Sequence, residues 1–423
     1  MKELDAFEDI SVELSDFEPT VTNSNNENDY NSKIDMNLEE DRYSRFRLIP
    51  WWDQELLKKS KVLVVGAGAL GNEILKNLAL LGIGNIIVTD MDKIENSNLS
   101  RSVLYRASDE GSYKSEVAAR SAKEINPDIN IVPMTSNIID EMGMGVFRFV
   151  DVVICGLDNR EARLWVNQVC WKVGTPWIDG AIEVISGVAR VFVPPDGACY
   201  ECTMNEIDYE MMSKRKSCAL LTKTDMEMGK IPTTPTTSSV IAGIECQEAL
   251  KLLHKRDDLP VLEGKGFFFN GLTHDSFTVK YQRKEDCLSH DTYENIEKTE
   301  WSVHKTLVLD VIERAEKDLG DGAVIELVRD FVHKAVCPEC GKETIINKLL
   351  NSLKESDLYC NKCNDTCNFD IITTIGKDSP LCEYTLSEIK IPDFDIIACR
   401  CDFNRICYEL TIDKEHVLKG LKV

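Results

Sequence analysis

Residues 62–90 read VLVVGAGALGNEILKNLALLGIGNIIVTD: an apolar run, a glycine turn, an apolar-striped helix and a second strand ending in aspartate. Residues 62–65 have the continuous apolar character of a parallel strand buried on both faces. Gly66, Gly68 and Gly71 then follow the G-x-G-x-x-G pattern, in which small residues let the backbone and the next helix N-terminus approach phosphates. Ile74, Leu75, Leu78 and Leu81 fall three, four, seven and ten places after Gly71, a face suited to packing on a sheet. Asp90 stands where a carboxylate can accept ribose hydroxyls. NAD, FAD and ATP all use such a turn, so the residues downstream must decide the ligand.

The 423-residue chain carries a net charge of -23, which argues against nucleic-acid backbones as main partner. No run reaches membrane-spanning length, and the start MKELDAFEDI lacks the basic and apolar regions of a secretion signal, so a cytoplasmic protein without membrane contact is expected. In that setting the 16 cysteines, several in C-x-x-C pairs, favour metal binding and thiol chemistry over a disulfide scaffold.

Three parts follow along the chain. Residues 1–41 hold 13 acidic and 2 basic residues and are expected to be a disordered tail; Phe7, Ile10, Val12, Leu14 and Phe17 give it, at most, a short docking motif. Residues 42–300 alternate strands and helices. Strands are expected at 129–133, 150–155, 177–179 and about 187–193, and helices at 114–125, 161–173 and 238–254. The pattern predicts an α/β fold with a Rossmann-like, mostly parallel sheet, its far half mixed because SGVARVFVPP alternates like an antiparallel strand. Residues 301–423 read as a small zinc-bearing C-terminal domain with little core, opening on an amphipathic helix over 303–319.

The polar stretch DMDKIENSNLSRS brings Asp90, Asp92, Asn98 and Arg101 together, and Lys114 opens the next helix. Two cations suit a triphosphate, whose leaving pyrophosphate gathers negative charge, better than they suit a dehydrogenase. Asp158 follows the strand DVVICGL at the sheet edge where open sheets place ligands, and a carboxylate there can hold Mg²⁺. The plainer alternative makes Arg101 and Lys114 solvated charges and Asp158 a helix cap.

Together RYSRF, GAGALGNEILKNLALLGIG, TDMDKIENSNLSR, YKSEVAA, CGLDN, IDGAIEVISGVARV, CYEC, KSCALL and PTTSSVIAGIECQEALKLL resemble the E1-like adenylyltransferase family over about residues 42–290. That family includes activators of molybdopterin and thiamine sulfur carriers and the adenylation subunits of ubiquitin-like-protein activators. The resemblance implies Mg-ATP-dependent adenylation of the C-terminal glycine of a β-grasp partner. It implies that Gly66, Gly68 and Gly71 surround the nucleotide, that Asp90 binds ribose, and that Asn98, Arg101 and Lys114 contact phosphates. Asp158 takes the magnesium role, and Arg45 reaches into the neighbouring subunit's ATP site, implying a homodimer. Ser102 follows Arg101 where many members carry glutamine, a departure that removes no charged participant.

Cys199 and Cys202 form a C-x-x-C knuckle able to give two thiolates to zinc. The family's second pair follows the last strand of the sheet, where this chain has Cys287 and His290, so the resemblance implies a Cys₃His site. Cys337, Cys340, Cys360 and Cys363 make two further knuckles with 19 residues between them, the spacing of a zinc ribbon; an iron–sulfur centre is the alternative. Cys367, Cys382, Cys399, Cys401 and Cys407 are either substitute ligands or apolar fillers. Cys218 lies beside Lys214, Arg215 and Lys216, which favour its thiolate. Family members place a cysteine in the comparable crossover loop, where in several branches it takes the activated acyl group; otherwise Cys218 is a plain loop residue. Two destinations follow: a ubiquitin-like modifier activator that forms a thioester on Cys218 and hands on to an E2-like conjugating enzyme, or a sulfur-carrier adenylyltransferase. A non-catalytic scaffold has no physical need for Arg45, Asp90, Arg101, Lys114 and Asp158 together.

Overall fold

The computed structural model describes residues 40–209 and 232–421. The chain divides after Arg45. Of the part before that point residues 40–45 are described, a turn in which Asp41 accepts from the Tyr43 amide. All that follows concerns the longer unit, Phe46–Val423.

A short helix α1 (Gln54–Lys59), capped by Asp53, leads into β1 (Lys61–Val65), α2 (Ala69–Leu81) and β2 (Asn85–Thr89). Then come α3 (Lys114–Ile125), β3 (Asn130–Met134), α4 (Met144–Phe149), β4 (Val152–Cys155) and α5 (Arg160–Val173). A hairpin of β5 (Trp177–Glu183) and β6 (Ser186–Phe192), the long α6 (Pro235–His254), and β7 (Lys265–Asn270) with β8 (Asp275–Lys280) complete the first sheet. Its strand order is β3-β2-β1-β4-β5-β6-β7-β8, parallel from β3 to β5 and antiparallel beyond. This is the Rossmann-like sheet with a mixed far half that the sequence pattern predicts.

Alternation along β1 divides the core in two. Val62 and Val64 join Ile74, Leu75 and Leu78 of α2 and Ile241 and Leu253 of α6 on one face. Leu63 and Val65 join Phe147, Val166, Trp171 and Trp177 on the other. Each face thus removes branched apolar side chains from water, the main favourable term in folding.

Boundaries shift where local chemistry overrides periodicity. α6 begins three residues earlier than 238, because Thr234 caps it and Pro235 supplies a preset first turn. β5 runs on to Glu183 because it pairs with β6 through Glu183 and Ser186. The amphipathic helix expected from 303 begins at Val308, since Leu307 is extended and its amide donates to Asp310.

The second sheet contains β9 (Ile296–Thr299), β10 (Val324–Val336), β11 (Glu343–Leu349), β13 (Ile396–Cys401) and β14 (Asn404–Leu410), ordered β11-β10-β13-β14-β9, with β12 (Asn368–Ile375) also on β10. Helix α7 (Val308–Leu319) covers it. Val308, Val311, Ile312 and Ala315 pack against Ile325, Phe331, Ile397, Tyr408 and Leu410. The expectation of little core therefore fails here, because strands far apart in sequence pair to enclose one. The other face of this sheet supplies Ile396, Ala398 and Cys407 to the core around α4 and α5. Arg329 locks the junction: it donates to the Ile139 and Met142 carbonyls and pairs with Asp395 at 2.8 Å. No helix among the described residues is long and apolar enough to cross a membrane.

Candidate nucleotide site and metal centres

The ends of β1, β2 and β4 converge where the strand order reverses, the place in open α/β sheets where ligands bind. Two glycines make the convergence possible. Gly66 has φ +92°, and a Cβ on it would lie 2.7 Å from the Gly156 carbonyl oxygen beyond β4. A Cβ on Gly71 would lie 1.9 Å from the Gly66 oxygen, so α2 can start this close to β1 only with glycine there. Gly68 caps α2 without a side chain and has open space where its Cβ would be. The first-turn amides of α2 have no intrahelical acceptor, which suits an anion.

Asp90 closes the turn from the β2 side, accepting from the Ala67 and Asp92 amides at 2.8 and 2.9 Å. Burial pushes its carboxyl above the usual range, against the pull of Lys114 and those two amides. Lys114, at the start of α3, pairs with Asp92 at 2.8 Å. Arg101 donates to the Ser97 carbonyl at 2.9 Å, and the Asn98 side chain accepts from the Glu95 amide. Asp158 is exposed just past β4. The cap of α5 is its neighbour Asn159, which accepts from the Ala162 amide, so capping is not the work of Asp158. Arg45 lies in the other unit, and Cys218 lies outside the described residues.

Periodicity did not single out the polar residues beneath this rim. Buried Arg163 donates to Asp179 at 2.7 Å and to the Leu157 and Gly180 carbonyls, tying the residue before Asp158 to β5. Arg190 pairs with the other Asp179 oxygen at 2.6 Å. Glu245 of α6 is fully buried, and neither of its carboxylate oxygens has a hydrogen bond among the described residues. It faces Gly180, where a Cβ would lie 2.5 Å from the carboxylate. Burial, then the nearby Asp179 charge, push the Glu245 carboxyl well above its usual range despite Arg163. Available signals were Asp179 inside the apolar run WIDGA and Glu245 four places from both Ile241 and Ala249.

Two clusters hold metal-ligand geometry. Cys199, Cys202, Cys287 and His290 present donor atoms within 4.8 Å of one another. Cys199 lies 3.7 and 3.5 Å from the Cys202 and Cys287 sulfurs, and His290 Nε2 lies 3.4 Å from Cys202. Trp171 stacks on the imidazole, and Glu201 accepts from the Ser289 amide. Cys337, Cys340, Cys360 and Cys363 form the second cluster, with sulfur separations of 3.3, 3.6 and 3.7 Å. A tetrahedral centre with bonds of about 2.3 Å to sulfur has edges of about 3.8 Å, so both sets fit one four-coordinate ion. Cys155, Cys170 and Cys246 are buried away from either cluster's ligand set, and burial pushes their thiols up.

Residues 40–289 match the model of the ThiF family. The chain belongs to the ThiF family. Its members are E1-like adenylyltransferases, related to the enzymes that activate ubiquitin-like proteins and sulfur carriers, and this ThiF-family chain is an enzyme of that class. It is similar to the SAMP-activating enzyme E1 of Haloferax volcanii, 34% identical over 256 residues that make up 58% of this chain and 87% of that protein. It is also similar to the sulfur carrier protein adenylyltransferase of Thermus thermophilus, 36% identical over 170 residues, 38% of this chain and 63% of the other. This chain thus spans less than two thirds of the Thermus protein. Among solved structures, E. coli MccB with ATP matches at a TM-score of 0.50 and 26% identity, covering 60% of this chain and 75% of that one.

The buried Glu245 gives the ThiF-family fold a pH signature. Its native carboxyl holds a proton that the unfolded chain releases above about pH 4.3, so stability falls as pH rises from there toward the raised native value. Glu245→Gln should remove that loss, gaining on the parent by up to about 1.4 kcal/mol per pH unit in this window and nothing below it. Urea melts at pH 4 and pH 7.5 check it; an equal offset at both would mean that Glu245 does not carry the proton.

Proposed function

We propose that this protein uses Mg-ATP to adenylate the C-terminal carboxylate of a small β-grasp partner of the sulfur-carrier kind. The observation that carries the reading is the glycine turn with its open helix N-terminus, flanked by Asp90, Lys114 and the exposed Asp158. Supporting it are the ThiF-family match and the similarity to a sulfur carrier protein adenylyltransferase and to an ATP-bound MccB structure.

A carboxylate is a poor acceptor for a sulfur nucleophile because its leaving group would be oxide or hydroxide. In the proposed step its oxygen attacks the α-phosphorus, the bond to the β-phosphate breaks, and pyrophosphate leaves with the electron pair. No proton has to move, since the carboxylate is already ionised. Alignment and charge neutralisation supply the rate. The turn around Gly66, Gly68 and Gly71 would hold the nucleotide and Asp90 the ribose. Asn98, Arg101 and Lys114 would meet the phosphates, the two cations neutralising the pyrophosphate as it departs. Asp158 would hold the magnesium ion, which when bound offsets phosphate charge. Arg45 would complete the site of a second copy in a homodimer.

A second reading keeps the same adenylate and passes the acyl group to the Cys218 thiolate, with AMP leaving, for delivery to an E2-like conjugating enzyme. Lys214, Arg215 and Lys216 beside Cys218, together with the similarity to an E1 named for SAMP activation, favour it as the alternative. Both cysteine clusters are proposed as structural zinc sites, the second making residues 301–423 a zinc-bearing C-terminal domain.

Partner-dependent exchange of pyrophosphate into ATP tests these roles together. Asp158→Ala should abolish it, while Arg45→Ala chains mixed with Asp158→Ala chains should recover part of it, because one site of the mixed dimer lacks both defects. Cys218→Ala should leave exchange intact and, under the second reading only, remove a thiol-reducible adduct. Full exchange by Asp158→Ala would sink the magnesium role.

Metal analysis of the purified chain should give two zinc ions, and a strong chelator should loosen the four-thiolate module around Cys337, Cys340, Cys360 and Cys363 first, since that module has only a small apolar cluster of its own. Iron in place of zinc, or a single ion per chain, would contradict this assignment.

A further inference from the structure

The carbonyls of Ala67 and Gly68, inside the glycine turn, are where the rest of the nucleotide site is fastened. The Asn72 side chain, fully buried in the first turns of α2, donates to both, at 2.7 and 3.0 Å. Its oxygen accepts from the Leu104 amide at 2.9 Å, three residues after Arg101. The buried Tyr105 hydroxyl donates to the same Ala67 carbonyl at 2.5 Å, with the Lys114 carbonyl as its second acceptor at 3.3 Å. Two side chains thus span the gap between the glycine turn and the two segments that carry the cations.

None of these bonds belongs to the strand or helix ladders. An apolar residue at 72 or a phenylalanine at 105 would keep the apolar contacts that α2 and its neighbours make around them. What would be lost is the fixed separation between the phosphate end of the turn and Arg101 and Lys114. Burial pushes the Tyr105 phenol far above its usual value, so it remains a donor across the working pH range.

We propose that Asn72 and Tyr105 are positioning residues that hold the Arg101 and Lys114 segments in register with the glycine turn, so that a bound triphosphate meets both cations. This rests on the ATP reading above and deepens it. A bond that acts through the cations affects the β- and γ-phosphates and leaves the adenosine and α-phosphate contacts alone. A purely structural role would weaken every nucleotide alike.

Calorimetric titration of the full chain with Mg-ATP and with AMP separates the two. Tyr105→Phe should weaken Mg-ATP by about five- to tenfold, the worth of one hydrogen bond, and leave AMP within about twofold. Asn72→Ser should show the same split, and thermal melts establish that both variants are folded. In a Lys114→Met background Tyr105→Phe should cost markedly less, because the group it positions is gone. Equal weakening of ATP and AMP, no weakening of either, or full additivity with Lys114→Met would overturn the proposal. A parent chain that binds Mg-ATP no better than AMP would instead remove the cation roles themselves, and the adenylation reading with them.

Discussion

The backbone contact between the turn after β1 and the turn after β4 is the one on which the rest depends. Gly66, at φ +92°, meets Gly156 so closely that a single Cβ would fall 2.7 Å from a carbonyl oxygen. Because that contact exists, the loops after β1 and β4 share one crevice, and Asp158 stands beside the same turn that Asp90 closes from β2. Gly71 makes the companion allowance, letting the axis of α2 point its free amides at the crevice. Larger residues at either position would move the N-terminus of α2 away from the strand ends that carry Asp90 and Asp158.

A contact this tight has to be braced, and the bracing is polar. Ala67 is held by Asp90 on its amide and by Asn72 and Tyr105 on its carbonyl. On the β4 side Arg163 ties the Leu157 carbonyl to Asp179, which Arg190 engages from β6. Buried charges of this sort are weak contributors to net stability, yet removing one partner strands the other at a cost of several kcal/mol. Their effect is to fix one geometry for the crevice. Glu245 breaks the pattern, a buried carboxyl without a hydrogen-bond partner among the described residues, and burial followed by the nearby Asp179 charge pushes it well above its usual range.

Much of this was legible in the sequence because it is local. The run through the glycine turn, α2 and β2 declares itself by spacing, α3 spans the predicted 114–125, and the three cysteine pairs and the Cys287–His290 pair gather as their two-residue gaps suggest. His290, the replacement for a cysteine in its pair, takes its place beside Cys202. What was not legible is long-range. β9 pairs with β14 across more than a hundred residues, and Arg329 reaches Met142 across nearly two hundred, so neither the core of the second sheet nor its junction with α4 leaves a periodic trace. Asn72 and Tyr105 were hidden for another reason: each sits at a position where an apolar residue would also fit, and only the carbonyls they reach reveal their purpose.

The claim that joins turn, cations and carboxylates is that a partner's C-terminal carboxylate is the group that meets the α-phosphate. The most direct measurement is pyrophosphate release by the unaltered protein with a β-grasp partner, compared with the same partner ending in a C-terminal amide. Adenylation of the carboxylate requires release with the first and none with the second, since an amide offers no anionic oxygen to attack phosphorus. Equal release with both, or ATP cleavage that yields ADP and phosphate, would contradict it.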